Sequence, residues 1–285
     1  MNTHEISPQT LPLKGLQKTP GHKFTHGHAL VLSGGAGRTG AARLAARGAL
    51  RIGAGLVTLG VPPDALLEVA SQVTAIMVRE IRDIAGLKET LRDDRINALC
   101  IGPGLGLEPA GAGLIAAALE TGRKMVLDAD ALSLIAQDRT LFDALHRECV
   151  ITPHGGEFAR LFPDISERLK NDPGVDKVLA ASEAASRAGC FVLLKGALTV
   201  VAEPDGPAGV HRAEGARSSP WLATAGAGDV LAGYITGLMA RGFAPGSASE
   251  LATYLHVESA LSFGPGLIAE DLPEQLPKIL QTIGS

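Results

Sequence analysis

Aromatic residues are scarce in this chain of 285 residues: Phe, Trp and Tyr together supply 4% of it. That scarcity argues against an aromatic-rich β-sandwich. It favours a core of Ala, Leu, Val and Ile, of the kind formed where helices cover a parallel sheet. Cysteine is rare too, and Cys100, Cys149 and Cys190 lie in apolar runs without metal-ligand spacing. Neither a disulfide framework nor a zinc site is expected, and buried reduced thiols fit a reducing compartment. The formal charge is only −4, and no Lys/Arg cluster marks a nucleic-acid footprint, so no nucleic-acid partner is expected. No uninterrupted apolar stretch is long enough to span a bilayer. The opening residues MNTHEISPQTLP lack the charged-then-apolar order of a signal peptide. A cytoplasmic protein with no membrane partner is the expectation.

Hydrophobic residues make up 46% of the chain and charged residues 20%, the balance of an ordinary globular protein. Residues 1–21 are polar, proline-containing and without periodicity, and are read as an N-terminal arm or irregular edge segment. Residues 22–285 are expected to form one domain, because no Pro-, Gly- or Ser-rich linker divides them. Within it, short apolar runs beginning at His28, Leu56, Asn97, Lys124, Glu148 and Phe191 alternate with helical periodicity. Continuous apolar strands alternating with helices predict an α/β fold with a mainly parallel central sheet and helices on both faces. LTVVAEPDG and the segment around Val210 look like antiparallel strands flanking a turn. Three helices are expected to follow, over 228–241, 245–263 and 273–283.

Chemistry concentrates where strands end. In LATAGAGDVLAG the glycines let the backbone turn tightly and approach an anion, while the following helix directs unpaired N–H groups toward it. Gly226, Ala227 and Gly228 are therefore candidate anion-hole residues, and Asp229 is positioned to accept a proton from an attacking alcohol. A simpler reading makes Asp229 a helix cap and the glycines a turn. In LLKGALT, Lys195 could balance phosphate charge and Thr199 could bond a nucleotide, or Lys195 could be a solvated hairpin lysine. In ITPHGGEF, His154 could contact substrate and Glu157 could hold Mg²⁺ through water. Two more glycine-rich turns, SGGAGRTGAA and IGPGLG, follow strands, and neither is a clean dinucleotide fingerprint. Asp128 and Asp130 in LDADAL could position metal-bound water or, as preferred here, serve structure.

The ordered set GGxxxTGAAxLAAxxALRxGAGLV (Gly34 to Val57), GPGLG, LDADAL, TPHxGE, LLKGxxT and LATxGxGDVLAG resembles the ADP-dependent NAD(P)H-hydrate dehydratases, a branch of the ribokinase-like fold. The resemblance implies that Lys195, Gly196, Ala197, Leu198 and Thr199, with Gly226, Ala227 and Gly228, bind the nucleotide. It implies that Ala41, Gly104, Gly106, His154 and Asp229 contact the hydrated dinucleotide, with Asp229 catalytic. Expected co-reactants are Mg²⁺ and ADP or ATP, and the expected reaction returns the S-form of hydrated NADH or NADPH to NAD(P)H with release of AMP and phosphate. The family also suggests a homo-oligomer. The epimerase domain that often accompanies it is not expected within these residues. Two stretches depart from the family pattern: Arg38 stands where an aromatic residue is frequent, and Ser218 and Ser219 precede Pro220, with Trp221 next, where Gly-Asn-Pro is frequent. Rival readings are a kinase of a vitamin-like alcohol on the same fold and a catalytically silent nucleotide-binding protein.

Overall fold

The structure, a computed structural model, describes residues 2–284. Its strands are β1 (Thr3–Glu5), β2 (His28–Leu32), β3 (Leu56–Val61), β4 (Met77–Glu80), β5 (Ile96–Ile101), β6 (Lys124–Leu127), β7 (Cys149–Ile151), β8 (Phe191–Leu194), β9 (Leu198–Ala202) and β10 (Ala208–Arg212). They form one sheet in the order β1-β10-β9-β8-β7-β6-β5-β2-β3-β4. Seven neighbours from β8 to β4 run parallel, and β9 alone opposes the strands on either side of it.

The apolar runs are continuous because both faces of the sheet are covered. All of β2 is buried, with Ala29 and Val31 in one apolar cluster and Leu30 and Leu32 in the other. The first cluster is roofed by α1 (Gly40–Arg51), α2 (Leu66–Ala70), α10 (Ala227–Ala240), α11 (Pro245–Phe263) and α12 (Asp271–Gly284). The second lies under α3 (Ile84–Thr90), α4 (Pro109–Leu119), α5 (Asp130–Gln137), α6 (Arg139–Asp143), α7 (Gly155–Leu161), α8 (Pro163–Asn171) and α9 (Lys177–Ala188). Cys100, Cys149 and Cys190 are free and buried, as the apolar runs around them predict.

Two features of this arrangement position the site. The chain leaves β2 for β3 and β4 on one side, then returns to lay β5 on the other. The loops after β2 and β5 therefore diverge at a topological switch point, where open α/β sheets bind ligands. Second, α10 runs antiparallel to the sheet. Asn97 at the start of β5 donates to the Ala240 carbonyl at the end of α10, 2.7 Å away, so the opposite end of α10 reaches the carboxyl ends of the strands. Close packing fixes its depth: a methyl group at Gly233 would lie 2.1 Å from the Ala45 carbonyl oxygen of α1. Small residues are thus required where these two helices cross.

The antiparallel pair expected after Lys195 is β9 with β10, and the helix expected over 245–263 is α11 with the same bounds. The first 21 residues hold more structure than their composition signals. β1 pairs with β10, Ile6, Leu11 and Leu16 join the core, and the Arg241 guanidinium donates to the Gly15, Leu16 and Ile52 carbonyls. β4 and α3 also lack a periodic signature, being only four and seven residues long.

Candidate active site

Asp229 stands in the first turn of α10, three positions beyond Gly226, whose φ of 88° suits glycine and swings the chain into the helix. No side chain caps this helix. Ala227 N–H reaches the Thr224 carbonyl and Val230 N–H the Gly226 carbonyl, but among the described residues no acceptor meets the amides of Gly228 and Asp229. An uncapped N-terminus with free amides at the end of a buried helix favours an anion. From beneath, the Nε2 of His256 on α11 lies 2.8 Å from the Ala227 carbonyl oxygen. That contact requires the proton on Nε2, and burial pushes the imidazole down to about 4, which keeps it neutral.

Lys195, at the carboxyl end of β8, faces this helix end. Its Nζ would be 3.4 Å from a methyl group at Gly228. It also lies 2.8 Å from Asp128 and 3.9 Å from Glu157. The side chain is 19% exposed, so the solvated hairpin alternative does not hold. Burial alone would depress the ammonium, but Asp128, Glu157 and Asp229 outweigh it and raise its pKa. Three carboxylates thus share one cation. The surplus falls on Asp229, which burial first, then Asp128, with Asp130 and Glu157 adding, pushes up to about 7 against the pull of Lys195. A carboxyl group poised near neutrality beside an open anion site is suited to proton transfer.

The remaining candidates divide by what already engages them. Lys195, Gly196 and Ala197 form the loop between β8 and β9, and Leu198 and Thr199 open β9. Thr199 turns its hydroxyl back to the Gly196 carbonyl, 2.8 Å away. Lys177 at the start of α9 holds the loop from below, its Nζ donating to the Lys195 and Leu198 carbonyls, and burial lowers it to about 8. His154 caps α7 by accepting from Gly156, while Glu157 accepts from the His154 amide at 2.8 Å. Glu157 is buried; the His154 side chain is 58% exposed. Neither Asp128 nor Asp130 caps α5 with its side chain: Asp128 pairs with Lys195, and Asp130 accepts from the Gly106 amide at 2.8 Å. Ala129 between them has φ 50°, a strained conformation for a residue with a side chain.

At the switch point the two glycine loops pack on each other. A methyl group at Gly34 would meet the Gly104 carbonyl oxygen at 1.7 Å, and one at Gly104 would meet the Arg38 carbonyl oxygen at 2.4 Å. Arg38 reaches across Gly106 to Glu108 at 3.2 Å. Ala41 sits in the first turn of α1 beside this junction. Asp64 and Glu68 occupy amides of the first loop, at Ala36 and Gly37 respectively. Their partnership with a loop about 30 residues earlier carries no local sequence signal, and the same is true of Lys177 and His256.

Among the described residues no group of three or more His, Cys, Asp or Glu could itself hold a metal ion. The residues do fit a hydrated Mg²⁺, which takes one or two carboxylates and completes its shell with water and substrate phosphate. The carboxylate surplus around Lys195 is the charge such an ion would offset.

The sequence model of the NAD(P)H-hydrate dehydratase family matches residues 29–282. The bifunctional NAD(P)H-hydrate repair enzyme Nnr of Moorella thermoacetica is 37% identical over 283 residues, covering 94% of this chain and 52% of the relative. That of Synechocystis is 39% identical over 240 residues, 82% of this chain and 43% of the relative. The chain thus spans about half the length of these relatives. Among solved structures, the ADP/ATP-dependent NAD(P)H-hydrate dehydratase of Bacillus subtilis, co-crystallised with ATP and Mg²⁺, superposes with a TM-score of 0.79 at 25% identity over 99% of both chains. The chain belongs to the NAD(P)H-hydrate dehydratase family.

Proposed function

We propose that the protein is an ADP-dependent (S)-NAD(P)H-hydrate dehydratase, a cytoplasmic metabolite-repair enzyme, and that Asp229 is its general base. The single observation that carries this is a carboxyl group pushed up to about 7 in the first turn of an uncapped helix, with Lys195 against the same helix end. Hydroxide is a poor leaving group, so a hydroxyl on the reduced nicotinamide ring must be activated before it can depart. Asp229 takes the proton as that oxygen attacks the terminal phosphorus of ADP, and the bond to AMP breaks. The amides of Gly228 and Asp229, with the Lys195 ammonium, hold the charge on the transferring oxygens. Mg²⁺, held through water near Glu157 and by substrate phosphate, would add charge neutralisation there. The ring nitrogen's lone pair then expels phosphate and the neighbouring ring carbon gives up a proton, leaving NAD(P)H, AMP and phosphate.

In this reading the backbone from Lys195 to Thr199 and from Gly226 to Gly228 binds the nucleotide, while Ala41, Gly104, Gly106 and His154 contact the hydrated dinucleotide. The segments after β2, β5, β7 and β8 and the entrance of α10 would supply these groups, which suits two substrates meeting at one phosphate. The partners are small molecules, and the protein is taken to be a homo-oligomer, which sedimentation would test. The deciding assay mixes purified protein, Mg²⁺, ADP and hydrated NADH, and follows NADH absorbance and phosphate together. Restoration of NADH that requires ADP supports the reading. A phosphorylated product that accumulates without phosphate release means a small-molecule kinase. No turnover by folded protein, with ATP also tried, ends the assignment.

A further inference from the structure

The chain has one tryptophan, and it stands half in water beside the entrance to α10. Trp221 is 48% exposed and Ile268 is 52% exposed. Both line a groove of about 340 Å³ formed between the segment Pro220–Thr224, which leads into α10, and the segment Gly266–Ile268, which joins α11 to α12. Large apolar side chains left in water on a groove lose hydrophobic free energy that a planar ligand would return.

The groove adjoins the anion site along the chain. Thr224, one of its lining residues, accepts the Ala227 amide and precedes Gly226 by two residues, a Cα separation of at most about 7 Å. On the other side, Ala269, next to Ile268, packs against Gly226, where an added methyl group would meet its Cβ at 2.9 Å. The segment carrying Trp221 also connects the two nucleotide loops: it begins with Ala213, whose amide donates to the Ala197 carbonyl at 2.8 Å, and ends at α10. A ribose is the spacer between a base and its phosphates, and Thr224 on this groove stands only a few residues before the free amides of α10.

We propose that the groove between Trp221 and Ile268 is a stacking subsite for an adenine ring, with Trp221 as its aromatic wall. This rests on the reading that the entrance of α10 holds phosphates. Both ADP and the dinucleotide carry adenine, and the test separates them. Aromatic stacking discriminates against ligands lacking a base, so Trp221 adds affinity for whole nucleotides without touching the phosphates.

Because Trp221 is the only tryptophan, its fluorescence reports the groove directly. Wild type and the variants Trp221→Ala, Trp221→Phe and Ile268→Ser would be titrated with ADP, NADP⁺ and inorganic pyrophosphate, by calorimetry and, where Trp221 is present, by emission. The expected result is saturable quenching by ADP and none by pyrophosphate. Trp221→Ala should weaken ADP roughly ten- to a hundred-fold, Trp221→Phe less, and pyrophosphate should bind all forms alike. The same pattern confined to NADP⁺ supports the subsite and assigns it to the dinucleotide. ADP that binds every variant equally, with no change in emission and NADP⁺ likewise indifferent, overturns the subsite while leaving the dehydratase reading intact. If neither ADP nor pyrophosphate binds wild type, the phosphate reading fails and the subsite with it. A change of sedimentation in Trp221→Ala with all affinities unchanged would make the groove a contact between copies of the chain and also overturn the proposal.

Discussion

Two glycine-rich turns of this chain look alike on paper and behave as opposites. In the turn after β2, from Ser33 to Thr39, carboxylates of the protein already occupy two amides and a hydroxyl: Asp64 accepts from Ala36, and Glu68 from Gly37 and from the Thr39 hydroxyl. The turn before α10 has no such carboxylate on its amides, and Lys195 with the carboxylates of Asp128, Asp130 and Glu157 acts on the Asp229 carboxyl that follows it. Glycine permits a backbone to approach an anion, but only amides without a partner bind one. In the proposed mechanism the first turn is therefore a wall of the switch-point crevice and the second its chemical centre.

The largest test of that contrast removes the base. Asp229→Asn keeps the shape of the turn and deletes proton acceptance, so NADH restoration should fall by at least about 10³-fold while ADP affinity changes little. A loss confined to KM would return Asp229 to the role of a helix-end residue. Next comes Lys195→Met, which leaves Asp128, Glu157 and Asp229 around an apolar side chain. Breaking one partner of a buried charge cluster typically costs about 3–5 kcal/mol, and chemical denaturation should show a loss of that order together with loss of turnover. Stability unchanged at pH 7 would mean the cluster is wetter than its burial implies.

The raised pKa of Asp229 makes two predictions of opposite sign. A base with a pKa of about 7 must be ionised to act, so kcat/KM should climb with pH and level off above about 7. Folding runs the other way. Between the ordinary unfolded value of about 3.9 and about 7, the native state holds a proton that the unfolded state has lost, so this group's contribution to stability falls as pH rises through that window. Asp229→Asn escapes the loss. Calorimetry should find its Tm above wild type at pH 8, with the gap closing toward pH 4; an equal gap at both values would refute the shifted pKa.

What the sequence made legible follows from where each signal lives. Continuous runs such as LVTLGV report double-sided burial locally, so the sheet and its parallel core are readable. The same holds for α10, whose glycine entry and small apolar residues state both its burial and its end. Three-residue β1 and the polar edge strand β4 carry too few residues for a period to show. The site was readable as motifs but not as connections. That Asp128 answers Lys195 across 67 positions, that Asp130 pins Gly106, or that His256 supports Ala227 from another helix depends on the closing of the sheet.

The smallest expected effect sharpens the contrast from the quiet side. Glu68→Gln and Asp64→Asn weaken the acceptors that hold the first turn while leaving its glycines in place. Glu68 is drawn below its ordinary pKa chiefly by the Gly37 amide, then by the Thr39 hydroxyl, so it serves the turn as an anion built into the chain. Both carboxylates are near the surface, and Tm should move by no more than about 2 °C. The effect should appear instead in the KM for the hydrated dinucleotide, which rises a few-fold as the wall beside Gly104 loosens, with kcat unchanged because Asp229 and its helix are untouched. A fall in kcat as large as the rise in KM would show that the two turns move as one unit, and the division between wall and chemical centre would have to be abandoned.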